Sequence, residues 1–93
     1  MEPHTGDLAL DDFLTEMASV VERVKSQTLD VHAATAIAQL GLDSLEMLEL
    51  LVLIEQRCST TLIGDPDLMG VITAEDLYRL VCVNRTDGLT AAL

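Results

Sequence analysis

Few residues in this chain have chemistry to offer, and one hydroxyl stands apart. Leu40-Gly41-Leu42-Asp43-Ser44-Leu45 places a serine where a glycine-containing loop gives way to an apolar-rich run, Glu46 to Cys58. A serine at such a junction reads first as an N-cap, its oxygen accepting from the unpaired N–H groups of the first helical turn. Asp43 beside it can end the loop or share the cap. Ser44 is not a hydrolytic nucleophile, because His4 and His32 lie in loops without a triad-like setting and no Gly-x-Ser-x-Gly turn occurs. A third chemistry remains, in which the serine is another enzyme's substrate. A helix start offers free N–H groups and the positive end of the dipole, both suited to a phosphodiester, and the loop leaves the hydroxyl within reach.

The remaining candidates are weaker. Asp65 to Asp76 partly fits a calcium loop, with oxygen ligands at the first and third positions (Asp65, Asp67), Gly70 at the sixth and Ile72 at the eighth. Met69 occupies the fifth position, Asp76 stands where a bidentate Glu belongs, and Pro66 is ill placed. No metal site is expected. Cys58 and Cys82 form no Cys-x-x-Cys pair and read as free thiols of a reducing compartment. Cys58 falls on an apolar helical stripe and is expected to be buried.

The elements that must position Ser44 follow from composition and periodicity. Ninety-three residues make one small domain, and 49% apolar content is enough for one core. Phe13 and Tyr78 are the only aromatic residues, so the core is aliphatic, a palette that favours packed helices. A formal net charge of -11, from 16 acids and 5 bases, argues against nucleic acid and anionic membranes as partners and favours basic protein surfaces. No signal peptide or membrane-length apolar run is evident, and the chain reads as a freestanding cytoplasmic monomer.

Residues 1–7 read as a flexible leader, 8–84 as the folded domain and 85–93 as a flexible tail. The first helix is expected from about Leu8 or Asp11 to Ser26, with Leu10, Phe13, Leu14, Met17, Val20, Val21 and Val24 inward. A long connection, Gln27 to Asp43, follows, with a short helical turn expected within Ala33 to Gln39. The second helix runs from Ser44 to about Cys58. Met47, Leu50, Leu51, Ile54 and Cys58 share its core stripe, while Glu46, Glu49, Gln56 and Arg57 face solvent. Leu45, Leu48, Val52 and Leu53 widen its apolar surface beyond one face, which suggests cover on two sides or a patch kept for a partner. Pro66 to Met69 can hold one turn. Thr73-Ala74-Glu75-Asp76 resembles a capping box, opening a last helix from Ala74 to about Asn84 with Leu77, Leu80 and Val81 inward. The fold class is therefore all-α, a bundle of three main helices and one short one, with a long loop between the first two.

Leu40-Gly41-Leu42-Asp43-Ser44-Leu45, with Leu48-Glu49-Leu50 and Ile54-Glu55 behind it, resembles the attachment motif of acyl carrier proteins. The likeness covers roughly Leu8 to Asn84. It implies that Ser44 carries a 4'-phosphopantetheine arm, donated by coenzyme A through a phosphopantetheinyl transferase that uses magnesium. The arm's thiol then holds an acyl group as a thioester, and the chain is a carrier rather than an enzyme. The resemblance further implies transferase recognition by Asp43. It implies an apolar docking patch of Leu45, Leu48 and Val52, with Glu49 and Glu55 meeting basic residues of acyl-loading, ketosynthase or other biosynthetic enzymes. Met47, Leu51 and Ile54 could line a cleft for the acyl chain.

Several residues depart from the primary fatty-acid carrier pattern. Cys58 stands where an aromatic is usual, Thr60 to Pro66 lacks the Ile-Pro-Asp order, and acids are sparse in the third-helix region. These departures favour a discrete carrier of polyketide or hybrid specialised-metabolite synthesis. A peptidyl or aminoacyl carrier is the nearer alternative, against which Leu42 stands in place of a second glycine. An unmodified acidic helical adaptor with a degenerate calcium loop is the alternative of another class.

Overall fold

The computed structural model describes residues 8–85; the expected leader 1–7 and most of the expected tail 85–93 lie outside the described residues. Among the described residues three α-helices form the bundle: α1 (Leu10–Lys25), α2 (Ser44–Cys58) and α3 (Ala74–Asn84). Two short 3-10 turns, Ile37–Leu40 and Pro66–Gly70, interrupt the connections. The expected fourth helix is thus a 3-10 turn whose own residues include none that is buried. Proline at its start and Gly70 at its end leave too few hydrogen-bondable residues to lengthen it into an α-helix.

α1 buries Phe13, Met17, Val20 and Val21, a three- and four-residue spacing that puts them on one face. Asp11 and Asp12 lie in its first turn and Arg23 and Lys25 in its last, each sign favoured by its end of the dipole. α1 packs chiefly on α2, which buries Leu50, Leu51, Ile54 and Cys58, and α3 closes the core with Ala74, Leu77, Leu80 and Val81. Leu10, Leu14, Val24 and Met47 are only partly buried, at the edge of this core.

The long connection after α1 is anchored. Val31, Ile37 and Leu40 are buried, and the loop pairs with the segment before α3. The Ile37 N–H donates to the Ile72 carbonyl at 2.8 Å, Ala74 N–H to Thr35 at 2.9 Å and Glu75 N–H to Ala33 at 2.9 Å. The expected turn at Ala33 to Gln39 lies slightly later, at Ile37–Leu40, because residues 33–36 give their backbone groups to this pairing. The second connection is held by Leu62, wholly buried, and by Thr60, whose buried hydroxyl donates to the Val81 carbonyl at 3.0 Å. Tyr78 packs on Phe13 with ring centroids 5.7 Å apart, and its hydroxyl donates to the Leu8 carbonyl at 2.7 Å. Among the described residues no helix is long and apolar enough to cross a membrane.

Candidate functional site

The start of α2 is built by four residues acting on one another. Gly41 adopts φ 69°, the left-handed region where a glycine carries no Cβ penalty, and turns the chain toward the helix. Asp43 is extended (φ -81°, ψ 179°) and is the N-cap: its Oδ1 accepts from the Glu46 N–H at 2.8 Å. Glu46 answers with Oε1, which accepts from the Asp43 N–H at 3.0 Å, completing a reciprocal box. Lys25, from the last turn of α1, donates to the Gly41 carbonyl at 3.0 Å and lies 3.4 Å from Glu46 Oε1.

Ser44 is therefore not the cap. It is the first residue of α2, it is exposed, and its hydroxyl has no partner among the described residues. Both Asp and Ser make good caps, and the spacing Asp43-x-x-Glu46 decides between them: only Asp43 has a carboxylate three residues ahead to complete the box. The Met47 N–H bonds the Asp43 carbonyl at 2.8 Å. The Ser44 and Leu45 N–H groups stay without protein acceptors among the described residues, beside the free hydroxyl.

The surface of α2 next to this junction is apolar. Leu45 is 75% exposed and Leu48 48% exposed, and with Glu49, Val52 and Leu53 they line one shallow depression. Glu49 is exposed and without an ion-pair partner among the described residues. Glu55 is different. Its Oε2 accepts from the Leu62 N–H at 2.7 Å and the Ile63 N–H at 2.8 Å, so the carboxylate that reads as a docking group in the sequence holds the loop after α2. Glu46, which reads as part of a solvated face, belongs to the box.

Behind the junction lies an apolar cavity of about 180 Å³ between α2, α3 and the two 3-10 turns. Met47 and Leu51 line it, with Ile37, Leu68, Val71 and Leu77. Ile54, grouped with them in the sequence, is 1% exposed and lies in the core rather than in this lining.

A family model described as a phosphopantetheine attachment site matches residues 12–81. The chain belongs to this family. The match takes in all of α2, both connections and most of α1 and α3. The protein is a carrier with a covalent 4'-phosphopantetheine arm, and its family implies a phosphopantetheinyl transferase and biosynthetic enzymes as partners. No curated protein and no solved structure gives a match to the chain.

In this carrier the partial calcium loop is occupied by other tasks. Asp65 caps the second 3-10 turn, accepting from the Asp67 N–H at 2.8 Å, and its other oxygen accepts from Asn84 Nδ2 at 2.6 Å. The Asn84 bond, then the Asp67 bond, hold its carboxyl below the usual range. Asp76 Oδ2 accepts from the Thr73 N–H at 3.0 Å and the Ile72 N–H at 3.1 Å, and those bonds lower it likewise. Among the described residues no three His, Cys, Asp or Glu side chains gather as metal ligands. Cys58 is buried, and desolvation pushes its thiol up, away from the reactive thiolate.

Proposed function

We propose that Ser44 is the attachment residue and that residues 8–84 form a discrete carrier unit for acyl thioesters in polyketide or hybrid natural-product synthesis. The observation that carries the assignment is a comparison of the serines. Ser26 and Ser59 end α1 and α2 in left-handed conformations (φ 57° and 53°), at the negative end of a helix dipole, where a phosphodiester is disfavoured. Ser19 lies within α1, its hydroxyl bonded by Arg57 Nη1 at 3.1 Å. Among the described residues, Ser44 alone combines an exposed, unbonded hydroxyl with two unpaired N–H groups and a positive helix end. These features suit the phosphodiester of the arm, and the thiol at its far end would supply the thioester chemistry.

In the transfer, Ser44 Oγ forms a bond to the phosphorus bearing the pantetheine of coenzyme A. The bond from that phosphorus to the diphosphate bridging oxygen breaks, adenosine 3',5'-bisphosphate leaves, and the hydroxyl proton passes to a base on the transferase. The carrier contributes position: an accessible oxygen and a helix start already closed by Asp43 and Glu46. Tethering then holds the cargo near a partner's active site at an effective concentration on the order of millimolar, without new contacts.

The exposed Leu45 and Leu48, with Val52 and the exposed Glu49, form the docking face for partner enzymes with basic surfaces, such as acyl-loading enzymes and ketosynthases. Asp43 is the residue the transferase recognises, and Glu55 marks the far edge of the face. The cavity at Met47 and Leu51 is apolar enough to shelter a short acyl chain. Cys58 in place of an aromatic, and the altered order at Thr60 to Pro66, support the specialised-metabolite setting over primary fatty-acid synthesis. Two thiols, one buried and one exposed, neither in a disulfide, fit a reducing cytoplasm.

Incubation with coenzyme A, magnesium and a promiscuous phosphopantetheinyl transferase, read by intact mass, tests the assignment. A gain of one phosphopantetheine in the wild type, in Ser26→Ala and in Ser59→Ala, but not in Ser44→Ala, is expected. A gain that survives Ser44→Ala overturns it.

A further inference from the structure

We propose that Lys25 is a positioning residue for the modification of Ser44: it ties α1 to the junction and holds residues 41–46 in the shape a transferase must meet. This inference rests on the assignment of Ser44 above and adds a residue that touches neither the arm nor the reacting oxygen.

The motivating geometry is a convergence on one loop end. Lys25 Nζ donates to the Gly41 carbonyl at 3.0 Å and sits 3.4 Å from Glu46 Oε1. That same oxygen accepts the Asp43 N–H at 3.0 Å. One ammonium thus binds the residue that turns the chain, and the carboxylate that closes the cap, on either side of Ser44. The two side chains are only 22% and 28% exposed, so water competes less than at an open surface pair. The link closes the whole connection between α1 and α2 back onto the end of α1. Gly41, exposed and in the left-handed region, is the residue of that segment whose carbonyl the ammonium holds.

A plain role in complementing the dipole of α1 does not account for this placement. Arg23 offers the same charge in the same helical turn, yet has no ion-pair partner among the described residues and none of these contacts. In a chain of 16 acids and 5 bases, one base is placed on the single acid that completes the cap beside Ser44.

The kinetic consequence follows from populations. When only a fraction of the carrier holds the competent junction, the transferase sees a weaker apparent affinity by that fraction, while the bound complex reacts as before. Loss of Lys25 should therefore raise KM and leave kcat unchanged, by roughly two- to fivefold for a partly shielded pair.

Transferase kinetics of the wild type, Lys25→Met, Lys25→Arg, Glu46→Gln and Arg23→Met test this, with the carrier as the varied substrate and with coenzyme A and magnesium saturating. Amide hydrogen exchange of residues 41–46 is followed in each unmodified protein. Lys25→Met should raise KM at constant kcat and speed exchange at Asp43, Lys25→Arg should recover most of both, and Glu46→Gln should give a smaller rise. Arg23→Met should match the wild type. Equal KM rises in Lys25→Met and Arg23→Met would mean that overall charge alone is sensed, and would overturn the proposal. Wild-type KM and exchange in Lys25→Met would overturn it too. Modification persisting in Ser44→Ala would instead overturn the assignment of Ser44, and the exchange rates would still decide whether Lys25 holds the junction.

Discussion

α2 and α3 open with the same reciprocal box and use their hydroxyl groups differently. At α3 the hydroxyl residue is itself the cap: Thr73 Oγ1 accepts from the Asp76 N–H at 3.1 Å, and Asp76 returns a bond to the Thr73 N–H at 3.0 Å. At α2 a carboxylate takes that place, and the hydroxyl one residue later is left unbonded among the described residues. The neighbouring turns differ in the same sense. Ala74 and Leu77 are buried, and Glu75 and Asp76 both reach Arg79, whereas Leu45 and Leu48 are exposed and Glu49 has no cationic partner among the described residues. One helix start is built to be closed and the other to be approached. A hydroxyl that caps is occupied, and shifting the cap by one residue is what leaves a serine free at the positive end of a helix.

The sharpest way to break this contrast is to remove each hydroxyl in turn. Ser44→Ala should abolish phosphopantetheine transfer, while Thr73→Ala leaves it intact, as read by intact mass. The next effect concerns approach. Glu49→Lys should weaken association with a partner enzyme several-fold at low salt without altering the fold, and Glu75→Lys should not; binding titrations on the loaded carrier distinguish them. Unchanged affinity in Glu49→Lys would count against the docking face.

Stability should invert the order of the two hydroxyls. Thr73→Ala should cost about 1 kcal/mol, which for a domain of this size lowers the thermal midpoint by about 4–8 °C. Ser44→Ala should change stability by only a few tenths of a kcal/mol, since it leaves the cap in place and alanine is the better helix former. Asp43→Asn should hold the midpoint close to the wild type, because Asn caps as well as Asp; it should slow modification if the charge is what the transferase reads.

The smallest effect is one of pH. The lowered carboxyl of Asp76 contributes stability that is fully present above the unfolded carboxylate range and is lost as pH falls through its lower folded value. Thermal melts at successive pH values below about 4 should therefore show the difference between wild type and Asp76→Asn shrinking as acid is added. A constant difference would contradict this role for the box at α3.

Much of this was legible in the residues alone. The spacing of Phe13, Met17, Val20 and Val21 places α1, and the apolar run after Ser44 ends at Cys58 as expected. Thr73-x-x-Asp76 announces its own cap. The cap at α2 was open to two readings because Asp43 and Ser44 are adjacent and equally suited; the pattern Asp43-x-x-Glu46 was the signal that separates them. Other features depend on contacts that no local pattern carries. Glu55 binds the Leu62 and Ile63 amides only because the chain reverses after α2, and Ile54 leaves the cavity because the rotation of α2 turns it inward. Lys25 meets Gly41 and Glu46 across the whole first connection, so periodicity gives it only an end-of-helix charge.

The central claim is that one free hydroxyl, released from capping by the residue before it, carries the arm. Fragmentation mass spectrometry of the protein isolated from its own cells tests it most directly. The account predicts a phosphopantetheine adduct on Ser44 and on no other serine; an adduct mapped to Ser19, Ser26 or Ser59 would contradict it.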